Sequence, residues 1–346
     1  MDITKSTYNT ALGDITWVTV TNAGGASVTL STLGAGIVSV VVPDAKGRMA
    51  DVVLGYANAE DYMADGPCAG KVPGRYANRI ARGHFSIDGH EYTLAINNGP
   101  NALHGGPTGF QNRIWELESA TGNTVVFKYT SADGEEGYPG NLVVRAAYTW
   151  TESNELTLHL TAQTDKKTVV NLTNHAYFNL AGHDSGSVLD HTLQLAASRW
   201  LPTDDTLIPT GELAAVKGTP MDFTEPKALG KEIKADFAAL KYGKGYDNCW
   251  VIDAAADGRL RPVAVLADPA TGRVLEVATT QPGVQVYTGN WLKGCPKSKS
   301  GTEYHDYDGV AIECQSLPDS PNKPNFPVTV LAPGETYQQT IKFTFK

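Results

Sequence analysis

The stretch Leu142–Gln163, LVVRAAYTWTESNELTLHLTAQ, contains two runs rich in β-branched, aromatic and aliphatic residues, and the polar segment TESN separates them. In the first run, Leu142–Trp150, apolar and more polar residues partly alternate, as they do in strands with one buried face. The second run, Glu155–Gln163, places leucine at every second position from 156 to 160. The stretch therefore predicts two consecutive strands and a β-rich fold.

Similar runs extend from this stretch toward both ends of the chain. They are short, and turn-forming residues separate them, since the chain has 35 glycines and 19 prolines. Asp88-Gly89 within Phe85–Leu94 is the strongest hairpin signal. One segment, Glu225–Leu240, favours a helix, with Thr224 as its cap. The other predicted strands are Ile15–Thr21, Ser27–Leu30, Ile37–Val42, Val52–Tyr56, Val125–Tyr129, Thr192–Ala196, Cys249–Ile252, Arg261–Leu266, Arg273–Thr279 and Val310–Ile312.

No linker of low complexity, shift in composition or internal repeat divides the 346 residues. The sequence therefore predicts an all-β protein, one continuous β-sandwich of unusual size that spans residues 1–346 as a single domain. In such a fold the functional residues lie in loops or on one sheet face, so they are expected to come from distant parts of the sequence.

Composition excludes several classes of partner. The chain is 41% hydrophobic, which is enough for a large core, and its formal net charge is -9, which argues against binding to nucleic acid or to an anionic membrane surface. No apolar run reaches the ~18 residues of a membrane span, and the opening MDITKSTYNT lacks the apolar core of a secretory signal. The four scattered cysteines are typical of free thiols. We expect a cytoplasmic protein, a monomer or a weak homodimer.

The segment Val169–His183, VVNLTNHAYFNLAGH, is the first candidate site. Its opening residues resemble a half-buried strand, so His175 falls at or just past a strand end. An imidazole titrates near neutral pH, and Tyr177 and Phe178 follow closely as an aromatic wall. The segment is therefore a candidate acid–base site for a sugar-like or planar ligand. The alternative is that His175 is a hydrogen-bonded histidine of the core.

Polar residues in four other segments are candidates to join His175. Asn78 and Arg79 lie in GRYANRI, where the guanidinium offers a fixed fork of N–H donors. His104 precedes two glycines in a loop. Asp247 lies beside aromatic residues in GYDNCW, where a carboxylate can accept hydrogen bonds from paired hydroxyls and Trp250 can supply an apolar face. Glu313 follows an apolar strand, so we expect its carboxylate to be at least partly desolvated.

Two further polar segments are expected at the surface. Arg75 and Arg82 flank the Asn-Arg pair and are most simply explained as solvated side chains. The acidic turn at 134–141, GEEGYPGN, is most simply a surface loop. Neither segment is predicted to take part in chemistry.

The candidate set suits a neutral, polyhydroxylated ligand. The sequence contains no phosphate cradle, no GxSxG, no GxGxxG and no GxxxxGK[ST], and its other histidines show no spacing typical of metal ligands. A serine hydrolase and a nucleotide-dependent oxidoreductase therefore lose support. We expect no metal and no cofactor.

Eight motifs, in order along nearly the whole chain, resemble those of the aldose 1-epimerases, also called galactose mutarotases. They are GRYANRI, NALHGGPTGFQNRIWE, DGEEGYPGNL, NLTNHAYFNLAGH, LPTDDTLIPTGEL, YDNCW, QPGVQVYTGN and IECQSLPDSPNKPNFP. The resemblance implies a large antiparallel β-sandwich, the galactose mutarotase-like supersandwich, with little helix and with the sugar in an open cleft. It also implies the interconversion of the α and β anomers of aldoses such as galactose and glucose, without a cofactor.

The same resemblance implies roles for individual residues. Glu313 corresponds to the general base, His175 to the general acid, and His104 to a second histidine near the sugar ring. Ala176 departs from the family motif, which often has a hydroxyl side chain there, so the sugar preference is open in this region. The positions that match sugar-hydroxyl ligands are Asn78, Arg79, Asp247 and Gln281.

These roles fit the chemistry of a cyclic hemiacetal. Ring opening removes a proton from the anomeric hydroxyl and delivers one to the ring oxygen. A glutamate with an ordinary pKa of about 4.3 is ionised at neutral pH, and a histidine near 6.5 is protonated if carboxylates favour its charge. The alternatives are a glycoside hydrolase that uses Asp247 and Glu313, a silent sugar-binding module, and a hexose-phosphate epimerase, which would need a basic cluster at the cleft rim.

Overall fold

The computed structural model of the protein describes residues 1–253 and 257–346. Within them lie two α-helices, α1 (Ala59–Met63) and α2 (Ala238–Gly243), and five 3₁₀ turns at Ala81–Gly83, Phe110–Asn112, Glu135–Gly137, Leu229–Lys231 and Ser320–Asn322. The strands are β1 (Asp2–Thr10), β2 (Gly13–Thr21), β3 (Ser27–Ser31), β4 (Gly36–Pro43), β5 (Met49–Asp51), β6 (Arg79–Ile80), β7 (His84–Ile87), β8 (His90–Thr93), β9 (Ala102–Leu103), β10 (Glu116–Thr121), β11 (Thr124–Ser131), β12 (Leu142–Trp150), β13 (Glu155–Thr164), β14 (Thr168–Val169), β15 (Tyr177–Phe178), β16 (Thr192–Leu195), β17 (Arg199–Trp200), β18 (Ala214–Ala215), β19 (Lys227–Ala228), β20 (Asp247–Val251), β21 (Arg261–Ala267), β22 (Val274–Thr279), β23 (Gly283–Tyr287), β24 (Val310–Gln315), β25 (Val330–Leu331) and β26 (Tyr337–Phe345).

Three large antiparallel sheets carry the fold. The first has the order β1-β2-β3-β4-β5, the second β10-β11-β12-β13-β26-β22-β21-β16-β19, and the third β15-β24-β23-β20-β17-β18. Two-stranded ribbons, β14-β25, β6-β9 and β7-β8, add to these. All three large sheets contribute to one buried cluster, for example through Val18, Leu158 and Val286. The prediction of an all-β, antiparallel sandwich with little helix is confirmed.

The pattern of each strand explains its place in the sheets. Along Leu142–Trp150 buried and half-buried residues alternate strictly, so this strand covers the core with one face. In contrast, Val310–Gln315 is buried at all six residues, because both faces of this strand are covered. The Asp88-Gly89 turn closes the predicted hairpin, in which His84–Ile87 pairs with His90–Thr93.

Two sequence-based predictions of secondary structure are wrong. Val52–Tyr56 is not a continuous strand: after β5 ends at Asp51, the chain makes isolated bridges at Val53 and Tyr56. Glu225–Leu240 is not one continuous helix, because only its last three residues are α-helical, as the start of α2. Part of it, β19, adds to the edge of the nine-stranded sheet, and the N–H groups of Leu229 and Gly230 donate to carbonyls at positions 191 and 189. Pairing with the sheet therefore uses the backbone groups that a helix would need.

The expectation that Arg75 is solvated is also wrong. Its side chain is 1% exposed and donates to backbone oxygens of Pro139 and Gly140 at 2.7 and 3.0 Å and to the Ser131 hydroxyl at 2.6 Å. It thereby fixes the acidic turn 134–141 against the GRYANRI segment. Arg82 is exposed, as predicted. Across the described ranges, neither helix has the length and apolar character that crossing a membrane requires.

Candidate active site

A cleft of about 740 Å³ is lined by side chains from distant parts of the sequence. Its walls come from the loop before β6, the β9 loop, the segment before β15, the N-terminal end of β20, the C-terminal end of β23 and the middle of β24. Among the residues that line it are Asn78, Arg79, His104, His175, Asp247 and Glu313. The structure therefore brings together six of the seven residues that the sequence singles out.

Glu313 and His175 face each other at the closed end of this cleft. Glu313 lies in the fully buried strand β24, opposite Gln285 of β23. His175 lies between β14 and β15, where its backbone N–H donates to Lys71 O and its carbonyl accepts from Gly70 N, both at 2.9 Å. The imidazole Nε2 is 3.5 Å from Oε1 of Glu313, and the two side chains are 6% and 3% exposed. Within the described residues Oε2 of Glu313 has no hydrogen-bond partner, so it can accept one from a ligand.

Burial shifts both groups toward their neutral forms, contrary to the charges expected from the sequence. Desolvation raises the pKa of Glu313 well above its usual value, the charge of Asp247 raises it further, and Arg79 opposes the change. Desolvation lowers the pKa of His175 to about 4, although the negative charges of Asp65 and Asp247 favour its protonation. From the sequence, we expected ordinary pKa values for Glu313 and His175. Local sequence does not show that both side chains are buried in the same site, where desolvation shifts both pKa values. Burial therefore favours the neutral form of each group when the cleft holds no ligand.

His104 is arranged as a neutral hydrogen-bond donor. Its Nδ1 accepts a hydrogen bond of 3.1 Å from the backbone N–H of Asn78, so in the neutral ring Nε2 carries the proton. Burial lowers the pKa of His104 well below its usual value, and positive charge at His175 and Arg79 lowers it further. The two imidazole centroids are 5.3 Å apart, and the planes cross at 81°. His104 therefore presents an N–H group beside His175 and Glu313.

This tautomer also bears on metal binding. Donor atoms of His104, His175 and Glu313 lie within 4.8 Å of one another, a spacing that can hold a metal ion. A metal on Nε2 of His104 would need a lone pair there, but the hydrogen bond from Asn78 N–H to Nδ1 places a proton on Nε2. The three residues fit proton transfer and hydrogen bonding better than metal ligation.

Arg79 and Asp247 form a polar wall that suits hydroxyl groups. Their Nη2 and Oδ2 atoms are 3.4 Å apart. Arg79 Nε donates to Asn98 Oδ1 at 3.0 Å, and Gln285 Nε2 donates to Asp247 Oδ1 at 2.6 Å. The side chain of Asn78 accepts the N–H of Arg79 at 2.7 Å and so fixes the start of β6. Donors and acceptors thus alternate along the wall, as recognition of paired sugar hydroxyls requires.

Gln281 does not lie in this wall, so its predicted place in the sugar site is wrong. Its side-chain amide is buried and donates to Tyr337 Oη at 3.1 Å and to Leu172 O at 3.3 Å. The residue sits in the turn between β22 and β23, which directs its side chain into the core. Gln285, the third residue of β23, reaches Asp247 instead. Side chains alternate between the two faces of a strand, so Gln285 and Tyr287 lie on the same face, and this alternation is the sequence signal for Gln285.

The aromatic surroundings also differ in part from the prediction. Tyr177 and Tyr287 line the cleft beside His175, with ring centroids 4.9 and 6.3 Å from the imidazole. Trp291, which sequence reasoning missed, stands at the rim and is 64% exposed. Trp250 was expected to face a ligand, but it is fully buried, and its indole N–H donates to Met221 O.

Two residues of the histidine segment also point away from the cleft. Phe178 and Ala176 both pack in the core rather than in the cleft wall. Alternation along β15 explains why Phe178 and Tyr177 point to opposite sides. Ala176, where the chain departs from the family motif, therefore lies in the core and does not line the cleft.

Comparisons with known proteins agree with this arrangement. The profile of the aldose 1-epimerase family matches residues 16–344. The galactose mutarotase of Homo sapiens is 46% identical over 312 residues, 90% of this chain and 89% of that protein. The aldose 1-epimerase of Escherichia coli (strain K12) is 40% identical over 332 residues, 95% of this chain and 94% of that protein.

Solved structures agree as well. An aldose epimerase homologue from C. elegans superposes with a TM-score of 0.88 at 32% identity, covering 95% of this chain and 98% of that chain. The galactose 1-epimerase of Lactobacillus acidophilus NCFM has a TM-score of 0.86 at 27% identity, covering 100% of this chain and 98% of that chain. The predicted fold class and carbohydrate-epimerising enzyme are confirmed, and neither a glycoside hydrolase nor a silent binding module is supported. By its motifs, its fold and these similarities, the chain belongs to the aldose 1-epimerase family.

Proposed function

We propose that the protein interconverts the α and β anomers of an aldohexose, with galactose and glucose as substrates, and that Glu313 and His175 transfer the protons. The observation that carries the proposal is the 3.5 Å approach of His175 Nε2 to Glu313 Oε1 at the closed end of the cleft. A single pyranose can place its anomeric hydroxyl and ring oxygen against these two groups. Relatives named galactose mutarotase support galactose as one substrate.

The reaction conserves the number of protons on the pair. In ring opening Glu313 takes the proton of the anomeric hydroxyl, and His175 gives a proton to the ring oxygen as the C1–O5 bond breaks. The open-chain aldehyde then faces a protonated glutamate and a neutral histidine, the forms that burial favours. Rotation about C1–C2 turns the other face of the aldehyde to the ring hydroxyl, and the same transfers in reverse close the ring.

The closed sugar requires the opposite, charged forms of the pair. Two features favour them when a sugar is bound: its anomeric hydroxyl donates a hydrogen bond to the Glu313 carboxylate, and the charge of Asp247 favours the imidazolium. His104 contributes an N–H donor near the ring oxygen or the anomeric oxygen. Asn78, Arg79 and Asp247 hold the remaining hydroxyls, so the sugar is oriented without covalent attachment.

Polarimetry tests this function. Catalytic amounts of the protein should accelerate the decay of optical rotation of freshly dissolved α-D-galactose or α-D-glucose to the same final value that the uncatalysed reaction reaches. Heat-unfolded protein is the control for non-specific acceleration, and a nitrophenyl galactoside should release no nitrophenol. Unchanged decay with several aldoses would contradict the proposal.

We also propose that the protein resides in a reducing compartment, the cytoplasm. The four cysteines, Cys68, Cys249, Cys295 and Cys314, are free thiols, and three of them are buried. Fractionation of the source cells with an antibody to the protein tests the location, and recovery of the protein outside the cytoplasmic fraction would contradict it.

A further inference from the structure

A fully buried ion pair lies in the loop that forms one wall of the cleft. Lys71 Nζ is 3.2 Å from Asp65 Oδ2, and the two side chains are 1% and 0% exposed. The carboxylate also accepts from Tyr56 Oη at 2.6 Å and from Ala69 N at 2.7 Å. The ammonium donates to Tyr62 O at 2.6 Å. The pair therefore closes the segment 65–71 on itself and satisfies both charges internally.

The same segment grips the backbone on both sides of the imidazole. The carbonyl of Lys71 accepts the N–H of His175, and the N–H of Gly70 donates to the His175 carbonyl. Gly70 has a φ of +75°, and a Cβ atom there would lie 1.9 Å from Ile37 O, so only glycine allows this approach. The carbonyl of Pro67 accepts the hydroxyl of Tyr177 at 2.9 Å. Movement of the loop would thus move His175 relative to Glu313.

We propose that Asp65, held by Lys71, is a positioning residue for His175: it fixes the imidazole through the 65–71 loop and supplies a negative charge that supports the imidazolium. This inference rests on the proposed function, because it assigns a role within the same proton transfer. Neither residue of the ion pair lines the cleft, so neither is expected to contact the sugar.

Stability alone is a weak explanation for this pair. Taking two charges out of water costs free energy that their attraction only partly returns, and well-packed apolar residues are often as stable. The Asp65–Lys71 pair fixes one arrangement of the 65–71 loop, and this role explains the buried charges better than stability does. Asp65 also acts on the site at a distance, since its charge and that of Asp247 favour protonation of His175 against the effect of burial.

Other ionisable groups surround the imidazole and set the background for this effect. They come from the 65–71 loop, the β6 and β9 segments, and strands β15, β20, β23 and β24. Besides Asp65 they are Cys68, Lys71, Arg79, His104, Tyr177, Asp247, Tyr287 and Glu313. Within this set Asp65 does not line the cleft, whereas Asp247 and Glu313 do.

The test uses the double variant D65N/K71M, measured as kcat, KM and the pH dependence of galactose mutarotation. Asp65→Asn alone would leave the Lys71 ammonium buried without a counter-charge, and such a protein can fail to fold. The double variant removes both charges with little change in volume. The conservative variant Lys71→Arg keeps the pair, and K227M/E232Q removes another ion pair, of 2.7 Å, outside the cleft.

We expect folded D65N/K71M to lose about 10- to 100-fold in kcat with KM changed by less than about 3-fold, as for other residues that orient a reacting group. Of the two charges that the double variant removes, that of Asp65 favours protonation of His175, whereas Lys71 is not among the groups that shift the pKa of His175. Loss of both charges should therefore move both limbs of the pH profile, which report the titration of His175 and Glu313 together, to lower pH. Lys71→Arg and K227M/E232Q should keep the wild-type limbs.

A folded D65N/K71M protein with wild-type kcat and wild-type limbs would overturn the inference. A lower kcat with both limbs unmoved would overturn it too, because a purely structural displacement would explain that result. Failure of the proposed function is distinguishable, since it would appear as a wild-type protein inactive on every aldose.

Discussion

At the scale of single residues, Glu313 lies in the cleft in an environment that opposes its charge. Burial raises the pKa of Glu313 above 4.5, so the folded protein keeps this proton to a higher pH than the unfolded chain does. The unfolded chain then binds fewer protons, and the folded state loses stability as the pH rises from about 4.5 to the folded pKa, by about 1.4 kcal/mol per pH unit. The site is therefore maintained at a cost in stability.

Glu313→Gln should consequently stabilise the protein at neutral and alkaline pH. Glutamine has nearly the same shape and cannot ionise in the unfolded chain. Thermal unfolding of both proteins should give similar midpoints near pH 4.5, with the variant increasingly more stable as the pH rises toward the folded-state pKa of Glu313. A variant less stable than the wild type at pH 8 would contradict the assigned environment of Glu313.

His104→Phe should lower kcat/KM by roughly 10- to 100-fold, because it removes one N–H donor aimed at the reacting oxygens. The limbs of the pH profile should move little, since burial and positive charge at His175 and Arg79 hold the pKa of His104 well below its usual value and so favour the neutral ring. Mutarotation rates from pH 4 to 9 test this. Loss of one entire limb would instead make His104 a titrating catalyst.

Sequence reasoning placed most of these residues correctly but not their ionisation. Glu313 and His175 stood out because each polar group follows an apolar strand pattern, and the structure buries both. Their opposite pKa shifts come first from burial. That burial arises where two segments 138 positions apart in the sequence meet, which no local pattern contains. Gln281 was placed in the sugar site for a similar reason, since only the position where the β22–β23 turn ends decides that Gln285 is the amide that reaches Asp247.

At the scale of structural elements, the buried Arg75 connects the GRYANRI segment to the acidic turn 134–141. Its guanidinium donates to carbonyl and hydroxyl oxygens from three separate segments, including Thr168 Oγ1 at 3.1 Å. Burial lowers the pKa of Arg75 to about 10, which still leaves it charged at neutral pH. The arginine thus holds the segment that carries Asn78 and Arg79 against residues 131–140 and Thr168, although neither it nor these partners line the cleft.

Arg75→Met should reduce the free energy of unfolding by at least about 3 kcal/mol, because several buried acceptors would lose their donor at about 1–3 kcal/mol each. The matched control is Arg82→Met, an exposed arginine seven residues along, which should change it by less than about 0.5 kcal/mol. Urea unfolding of both variants gives the comparison. Equal stabilities for the two variants would contradict the role given to Arg75.

Elements were predictable where pattern and pairing agree. The hairpin at Asp88-Gly89 and the strand pair Leu142–Trp150 and Glu155–Thr164 follow directly from turn chemistry and alternation. The segment 225–240 has helix-like composition, yet Lys227–Ala228 pairs with β16 at the edge of a sheet, so tertiary pairing overrides local propensity. Arg75 was assigned to the surface because composition does not show which arginines find acceptors inside.

At the scale of the whole molecule, the last strand completes the largest sheet. β26 pairs with β13 on one side and with β22 on the other. It also buries Ile341, Phe343 and Phe345 in the main core, at about 1.5–3 kcal/mol each. The first strand, in contrast, is an edge strand whose residues are exposed or half-exposed. The two ends of the chain therefore contribute unequally to folding.

Deletion of residues 337–346 should abolish folding, since it removes a central strand and core side chains whose contribution rivals a net stability of about 5–15 kcal/mol. Deletion of residues 1–11, which hold the edge strand, should leave a folded protein. Circular dichroism and mutarotation of the two truncated chains distinguish them. A folded, active protein without residues 337–346 would contradict this account of the core.

The all-β architecture could be predicted from the sequence. Composition and periodicity alone could not predict which distant residues meet in the cleft. Short strands and frequent turns indicated an all-β sandwich, and the ordered motifs indicated the family. That positions 78, 104, 175, 247 and 313 meet in one cleft depends on strand order in the sheet that contains β15, β20 and β24 and on the β6-β9 ribbon beside it. Strand order in large sheets is set by long-range contacts, which local patterns do not encode. That the chain is one domain stays a prediction.

Exchange spectroscopy of D-galactose by ¹H NMR at anomeric equilibrium tests the central claim most directly, because it measures the rate at which α and β anomers interconvert. At pH 7 the wild-type protein should give strong exchange between the two anomeric proton signals. Folded Glu313→Gln and His175→Asn should each reduce the exchange rate by at least about 100-fold, since each lacks one partner of the proton transfer. Undiminished exchange in either variant would contradict the claim that these two side chains together open and close the sugar ring.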